Sequence, residues 1–512
     1  MSQTQLDREP DAAAPTPADR EAKRQARETR RIARGRKLGP WGTLAVWAFV
    51  VVSSVWMFAV PDLDRGLVGL TVMFITIALM LLGMPIAIAM FGASILGLLK
   101  LGGMNMLAAT FRETIYGGAA SWELSVIPLF VFMGIVMWRS GLTGSMFESA
   151  RLWLGKLPGG LAVGTNFAGA GLAASSGSSI GISYALGRVA IPEMLRAGYS
   201  PSLATGVVAM AGTLGQLIPP SIMLVIYAGI AQTPVGPQLV AAIIPGILIA
   251  VAFGVMIMIR AIVTPSIAPR YNPPGITWKA RFASLTKTVP VLLIVVVVIG
   301  GLLGGFFTAT EAGACGALAA VLAGWLLGGK ENRKLRVIGK MLWTSLKDTA
   351  AATAGIFLLL IAVAVLSRVM ALSQLATELS NAVIDLGLSR VALLLILMVV
   401  YVILGTFLEP LAMMLLTLPV LIAPLAAANV DLIWFGIFIV VMAEIAVVSP
   451  PVGMLAFIVF RLAQNKEVNL GKRITLSDVF NGVIWFVVVA LLVVVLLIFF
   501  PEIVTWLPSL GL

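Results

Sequence analysis

The 512-residue chain has no histidine, a single cysteine (Cys315) and little charge, with Asp, Glu, Lys and Arg together making up 11%. Without histidine there can be no Ser-His-Asp triad, no Cys/His zinc site and no histidine proton relay. With one thiol there can be no disulfide within the chain. Short alternating strands of the kind a membrane barrel needs are also missing. What the chain has instead is apolar residues, 60% of the total, against about 45–50% in soluble domains. They fall in long blocks: residues 289–305 and 483–500 carry no charge at all, and runs of about 20 such residues cross a bilayer. Helices then satisfy the backbone in lipid. The expected fold class is an all-α polytopic membrane protein.

The formal net charge is +12. The basic residues gather in an N-terminal tail and between apolar blocks, a pattern that reports membrane topology and not nucleic-acid binding. Residues 1–40 are polar, and nine Lys/Arg fall between Arg20 and Lys37 against Glu21 and Glu28. This stretch reads as a disordered or partly helical cytoplasmic tail. Residues 41–61 read as an extra N-terminal transmembrane helix, too long for a secretory signal. It leads to the acidic external turn Pro61-Asp62-Leu63-Asp64. Basic loops at 260–287, 330–347 and 461–473 are expected inside, and the C-terminus outside. The main domain is expected over 62–500, with 501–512 as a C-terminal tail.

An internal correspondence divides that domain into a first repeat, about 66–262, and a second, about 289–500. Pro219-Pro220 and Pro450-Pro451 interrupt apolar stretches 231 residues apart. The same offset carries the polar segment Ser175-Ser-Gly-Ser-Ser179 onto Thr406-Phe-Leu-Glu-Pro410. Each half thus reads as a re-entrant helical hairpin followed by a discontinuous helix. Lys156 and Arg196 flank the first hairpin, whereas Asp385 and Asp431 flank the second, so the two should enter from opposite sides, as in an inverted repeat. Pro removes an N–H and clashes with the preceding turn. The freed carbonyls survive at membrane depth only inside protein or beside water. Such carbonyls suit Na⁺, half-helix N-termini suit an anion, and paired breaks at matching positions point to a transporter.

Gly83-Met-Pro-Ile86, Leu157-Pro-Gly-Gly160, Ser176-Gly-Ser-Ser179, Ala190-Ile-Pro192, Gly212-Thr-Leu-Gly215, Ile218-Pro-Pro-Ser221, Phe307-Thr-Ala-Thr-Glu-Ala312, Gly405-Thr-Phe-Leu-Glu409 and Pro450-Pro-Val-Gly453 occur in that order. In these segments the chain resembles the large membrane subunit of tripartite ATP-independent periplasmic (TRAP) transporters, over about residues 66–500. The resemblance implies an elevator-type, sodium-driven importer of a small organic anion in the bacterial inner membrane. Its implied partners are a small four-helix membrane subunit and a periplasmic substrate-binding protein. By the family pattern, one sodium site would use Ser176, Ser178, Gly215, Ile218 and Pro220. A second would use Gly405, Ser449, Pro451 and Gly453. Most would act through backbone carbonyls. One departure is Glu444-Ile-Ala-Val-Val-Ser449, where the family often has Asn near the second break; this carboxylate would change the ion stoichiometry or point into a wet cavity.

Ser179, Arg188, Glu409 and Glu444 are the candidate substrate contacts. Glu409 also reads as a capping residue, and Arg188 as a partner for an acid or a side chain reaching the cytoplasmic surface. Glu311 reads as a helix N-terminal carboxylate. Gly324 to Lys330 fits Gly-x-x-x-x-Gly-Lys, but Glu331 follows where a phosphate loop needs Ser or Thr, so no nucleotide is expected. A stand-alone sodium/dicarboxylate symporter is the alternative function. An intramembrane enzyme fits less well, because clustered acid, base or metal ligands are missing, and an ion channel fits less well because channels are more often symmetric oligomers of shorter chains.

Overall fold

The computed structural model describes residues 39–119, 122–142, 145–270, 277–327, 334–450 and 453–510. Nearly all of the basic tail, Lys330 and Pro451 lie outside the described residues. Among the described residues the regular structure is helical, and eight helices are long and apolar enough to cross a membrane. The extra helix Pro40–Ala59 starts with Pro at its first turn and leaves most of its surface outward. Lys100 ties its far end down by donating to the Val60 and Pro61 carbonyls at 2.6 and 3.2 Å.

A framework follows. Arg65–Leu81, capped by Asp64, packs on Ile86–Ala119, which kinks at Gly103 and lies along Leu335–Ser373. Val126–Arg139 packs on Ala309–Leu327, and Trp278–Leu303 packs beside the latter. Two short amphipathic helices, Ser145–Leu154 and Leu375–Asp385, precede the two hairpins. The first hairpin is Gly160–Ser176 with Ser179–Arg196, and the second is Arg390–Gly405 with Pro410–Ala427. The first broken helix is Pro201–Thr213 with Ile222–Ala231, and the second is Leu432–Ala446 with Met454–Leu462. Corresponding helices in the two halves start 230 to 232 residues apart.

Two expectations change. Lys340 and Lys347, expected in a loop, lie inside Leu335–Ser373, and Lys279, Arg281 and Lys287 lie inside Trp278–Leu303. The reason is length. Thirty-nine residues rise about 58 Å, against a hydrocarbon core of about 30 Å, so a helix can carry its basic turns beyond the lipid. Arg281 shows how they are anchored: its guanidinium carbon lies 4.9 Å from the Trp278 ring centre, and its Nε donates to Leu152 O at 3.1 Å. Residues 501–510, expected as a tail, carry the helix Glu502–Ser509, whose Val504 is buried.

The cores of the broken helices are buried all round. Every residue from 434 to 446 is buried, as is every residue from 203 to 213. The two broken helices also pack on each other, Tyr227 Oη donating to Leu432 O at 2.6 Å, and Gln238, on the next helix Val235–Ala241, donates its Nε2 to Ile433 O at 3.0 Å.

Candidate functional site at the hairpin tips and helix breaks

The first hairpin turns at Gly177, whose φ of +54° ends the first arm in the left-handed region that glycine takes without strain. Ser178 follows in extended conformation and starts the second arm, its Oγ accepting from Gly181 N at 3.3 Å. The first broken helix loses its ladder at Pro219-Pro220, a cis peptide. A 3-10 turn, Leu214–Gln216, tightens its end, and Ile218 N bonds Leu214 O at 3.0 Å. Ser221 links the two halves: its hydroxyl donates to Gln216 O and accepts from Leu224 N. One side chain thus satisfies an orphan carbonyl on one half and an orphan N–H on the other.

The second break closes differently. Ser449, 4% exposed, turns its Oγ back to Ile445 O at 2.7 Å. Gly453, at φ +45°, starts the second half, and Leu455 N reaches across to Val447 O at 3.0 Å.

Each tip meets its break through a residue without a side chain. A Cβ placed on Gly215 would lie 3.5 Å from both Ser178 C and Ser179 N, and 2.5 Å from Ile182 Cδ1. On Gly405 it would lie 1.8 Å from Ala446 Cβ. Small residues let helices approach this closely in a membrane. The glycine sits on the broken helix in the first half and on the hairpin in the second.

Ser178, Ser179, Gly215, Ile218 and Pro220 are therefore gathered at the first tip and break. Gly405, Ser449 and Gly453 belong to the second. Ser176 ends the first arm, but its side chain is outside the described residues, as is all of Pro451. Glu409 precedes Pro410 at the second tip, half-buried, without capping the helix with its side chain. Arg188 is not brought to the tip. It lies ten residues beyond Ser178 on the same helix, about 15 Å away, with its guanidinium carbon 5.1 Å from the Tyr184 ring centre. A surface cavity of about 260 Å³ lined by Gly236, Phe307, Thr308 and Leu507 among others includes none of the candidate residues.

Glu444 joins the two halves. Its Oε2 accepts from Ser179 Oγ at 2.8 Å, so the second broken helix is bonded to the first hairpin tip. Each residue is separately legible as a candidate in the sequence, but their pairing is not. Ser221 was visible as part of a motif. No periodicity singles out its double role.

Residues 73–503 match the model of a family described as tripartite ATP-independent periplasmic transporter, DctM component. The chain is 29% identical over 452 residues to a C4-dicarboxylate TRAP transporter large permease protein of Vibrio cholerae, covering 85% of this chain and 96% of that protein. It is 30% identical over 443 residues to an ectoine TRAP transporter large permease protein of Halomonas elongata, covering 86% and 99%. Among solved structures the fold is similar to that of the Alcanivorax borkumensis YdaH transporter, with a TM-score of 0.56, 18% identity, and coverage of 77% of this chain and 88% of that one.

Proposed function

The chain belongs to the DctM component family of tripartite ATP-independent periplasmic transporters, as a large membrane subunit, and from that premise we propose that it imports a small organic anion across the bacterial inner membrane on an inward sodium gradient. The anion is delivered by a periplasmic binding protein, and a separate small membrane subunit completes the transporter. The observation that carries this reading is the double contact of tip on break: Gly215 against Ser178 and Ser179, and Gly405 against Ala446. Both contacts put interrupted backbone beside hydroxyls, with Ser178 and Ser221 at the first and Ser449 at the second. Hydroxyl and carbonyl oxygens are the ligands a hard cation takes, and an unwound helix at membrane depth is where transporters place them. Ser176, Ser178, Gly215, Ile218 and Pro220 hold one sodium ion in this reading. Gly405, Ser449, Pro451 and Gly453 hold a second.

The relatives named above carry different substrates in their names, C4-dicarboxylate and ectoine, so kinship alone does not select this chain's cargo. In the proposed mechanism the two halves are inverted repeats. The hairpins and broken helices form a mobile unit that travels past the framework helices as an elevator. The N-terminus is cytoplasmic and the C-terminus periplasmic.

The test is uptake into proteoliposomes. Uptake should require the small subunit, the binding protein and an inward sodium gradient together. Transport by this chain alone would overturn the tripartite reading in favour of a stand-alone symporter. Loss of uptake with a protonophore, but not on removal of sodium, would overturn the sodium coupling.

A further inference from the structure

Among the described residues Glu444 is the only buried Asp or Glu, at 4% exposure. It sits two residues before the end of Leu432–Ala446, where the second broken helix opens. One carboxylate oxygen accepts from Ser179 Oγ at 2.8 Å, while the other, Oε1, is buried with no hydrogen-bond partner. Ser179 is itself 5% exposed and is the first residue of its helix, so the positive end of that helix faces the carboxylate.

Among the described residues no full positive charge faces it. On the packed helices, Arg390 lies over the Trp434 ring, ten residues from Glu444, about 15 Å along the helix. Tyr227 is bonded to Leu432 O and Tyr401 to Thr417. Asp478 is held in the cap of Leu476–Phe499, and Glu502 starts the C-terminal helix. Pro410–Ala427, Val235–Ala241 and Leu214–Gln216 carry no titratable side chain. Glu409 borders the second hairpin, and Arg188, Glu193 and Arg196 lie nine or more residues beyond Ser179 on its helix. A carboxylate charge withdrawn from water needs a partner of opposite charge. One serine hydroxyl and a helix end supply only part of one.

We infer that Glu444, with Ser179, is a cation-loading site: one monovalent cation, Na⁺ or H⁺, occupies the carboxylate when the first hairpin tip closes on the second broken helix. The site is additional to the two sodium sites proposed above, and it rests on the transporter reading for its role in a cycle. Its position fits loading and release, because its two residues come from different halves of the chain, 265 positions apart. The cation adds one positive charge to what moves with the substrate. Occupation by a proton forms one O–H bond at Oε1, with the proton drawn from water. Occupation by sodium forms only coordination to oxygen.

Binding to the purified full-length chain tests this without knowledge of the substrate. Bound ²²Na⁺ at saturation, and protons taken up between about pH 9 and about pH 6, where an ordinary carboxylate stays ionised, are counted for the wild type and for Glu444→Gln, which keeps the shape of the side chain. The expected result is one equivalent fewer per chain in Glu444→Gln, either of sodium or of protons. The count that changes identifies the cation. Equal counts of both would overturn the inference. Should Glu444→Gln not fold, Ser179→Ala decides. Losing the hydroxyl should shift the midpoint of whichever cation occupies the site several-fold, and an unmoved midpoint for both cations would overturn the inference equally. If the wild type binds no sodium, the sodium coupling of the proposed function fails, while the proton count still decides the role of Glu444.

Discussion

Gly405 and Ala446 approach so closely that a Cβ on the glycine would stand 1.8 Å from the alanine Cβ. The second hairpin therefore closes on the second broken helix only because Gly405 has no side chain. Gly405→Ala forces the tip outward, an overpacking that costs about 1–3 kcal/mol. Uptake should fall sharply and the melting temperature should drop. Ala446→Gly in the same chain should restore much of both, because the nearest remaining atom, Ala446 Cα, lies 3.0 Å from that Cβ position. The absence of any rescue would show that the contact is not what limits the single variant.

Ser178→Ala separates two roles of one hydroxyl. Losing its cap on Gly181 N costs about 0.5–2 kcal/mol of stability. If the hydroxyl also binds sodium, the sodium concentration for half-maximal uptake should rise about fivefold, from a net loss of about 1 kcal/mol. Lower stability with unchanged sodium dependence would leave Ser178 as a cap only.

Gly482 and Gly355 make a matched pair for thermal melting. A Cβ on Gly482 would lie 1.9 Å from Ser202 O, where Leu476–Phe499 crosses Pro201–Thr213. On Gly355 it would meet nothing within 4 Å. Gly482→Ala should destabilise by about 1–3 kcal/mol. Gly355→Ala should be neutral or stabilise by up to about 1 kcal/mol through helix propensity. Equal effects would mean that the close crossing does not limit stability.

Opposed hairpins can be read by labelling. Lys156 and Asp385, both exposed, flank the first and second hairpins. Single cysteines at these positions in a Cys315→Ala background should react with a membrane-impermeant maleimide from opposite sides. Position 156 should react only after the cytoplasmic face is opened, and position 385 in intact spheroplasts. Reaction from one side at both positions would refute the inverted repeat.

The sequence by itself determined the helical class, the places of both hairpins and both breaks, and their common offset. These follow from local causes: uninterrupted apolar runs demand helices, a Pro-Pro pair removes ladder donors wherever it falls, and Gly177 permits the left-handed turn. Sequence also placed Ser178 and Glu409 beside turns, where the structure has them. It misjudged the basic segments around Lys340 and Arg281, because charge marks a membrane boundary without saying whether the helix stops there. What only the tertiary structure decided is which faces meet. Residues 434–446 are buried on every side, so no amphipathic stripe points Glu444 at Ser179 or Ala446 at Gly405. Those contacts depend on how helices from two halves of the chain cross, and a crossing is set by the packing of all the neighbours at once.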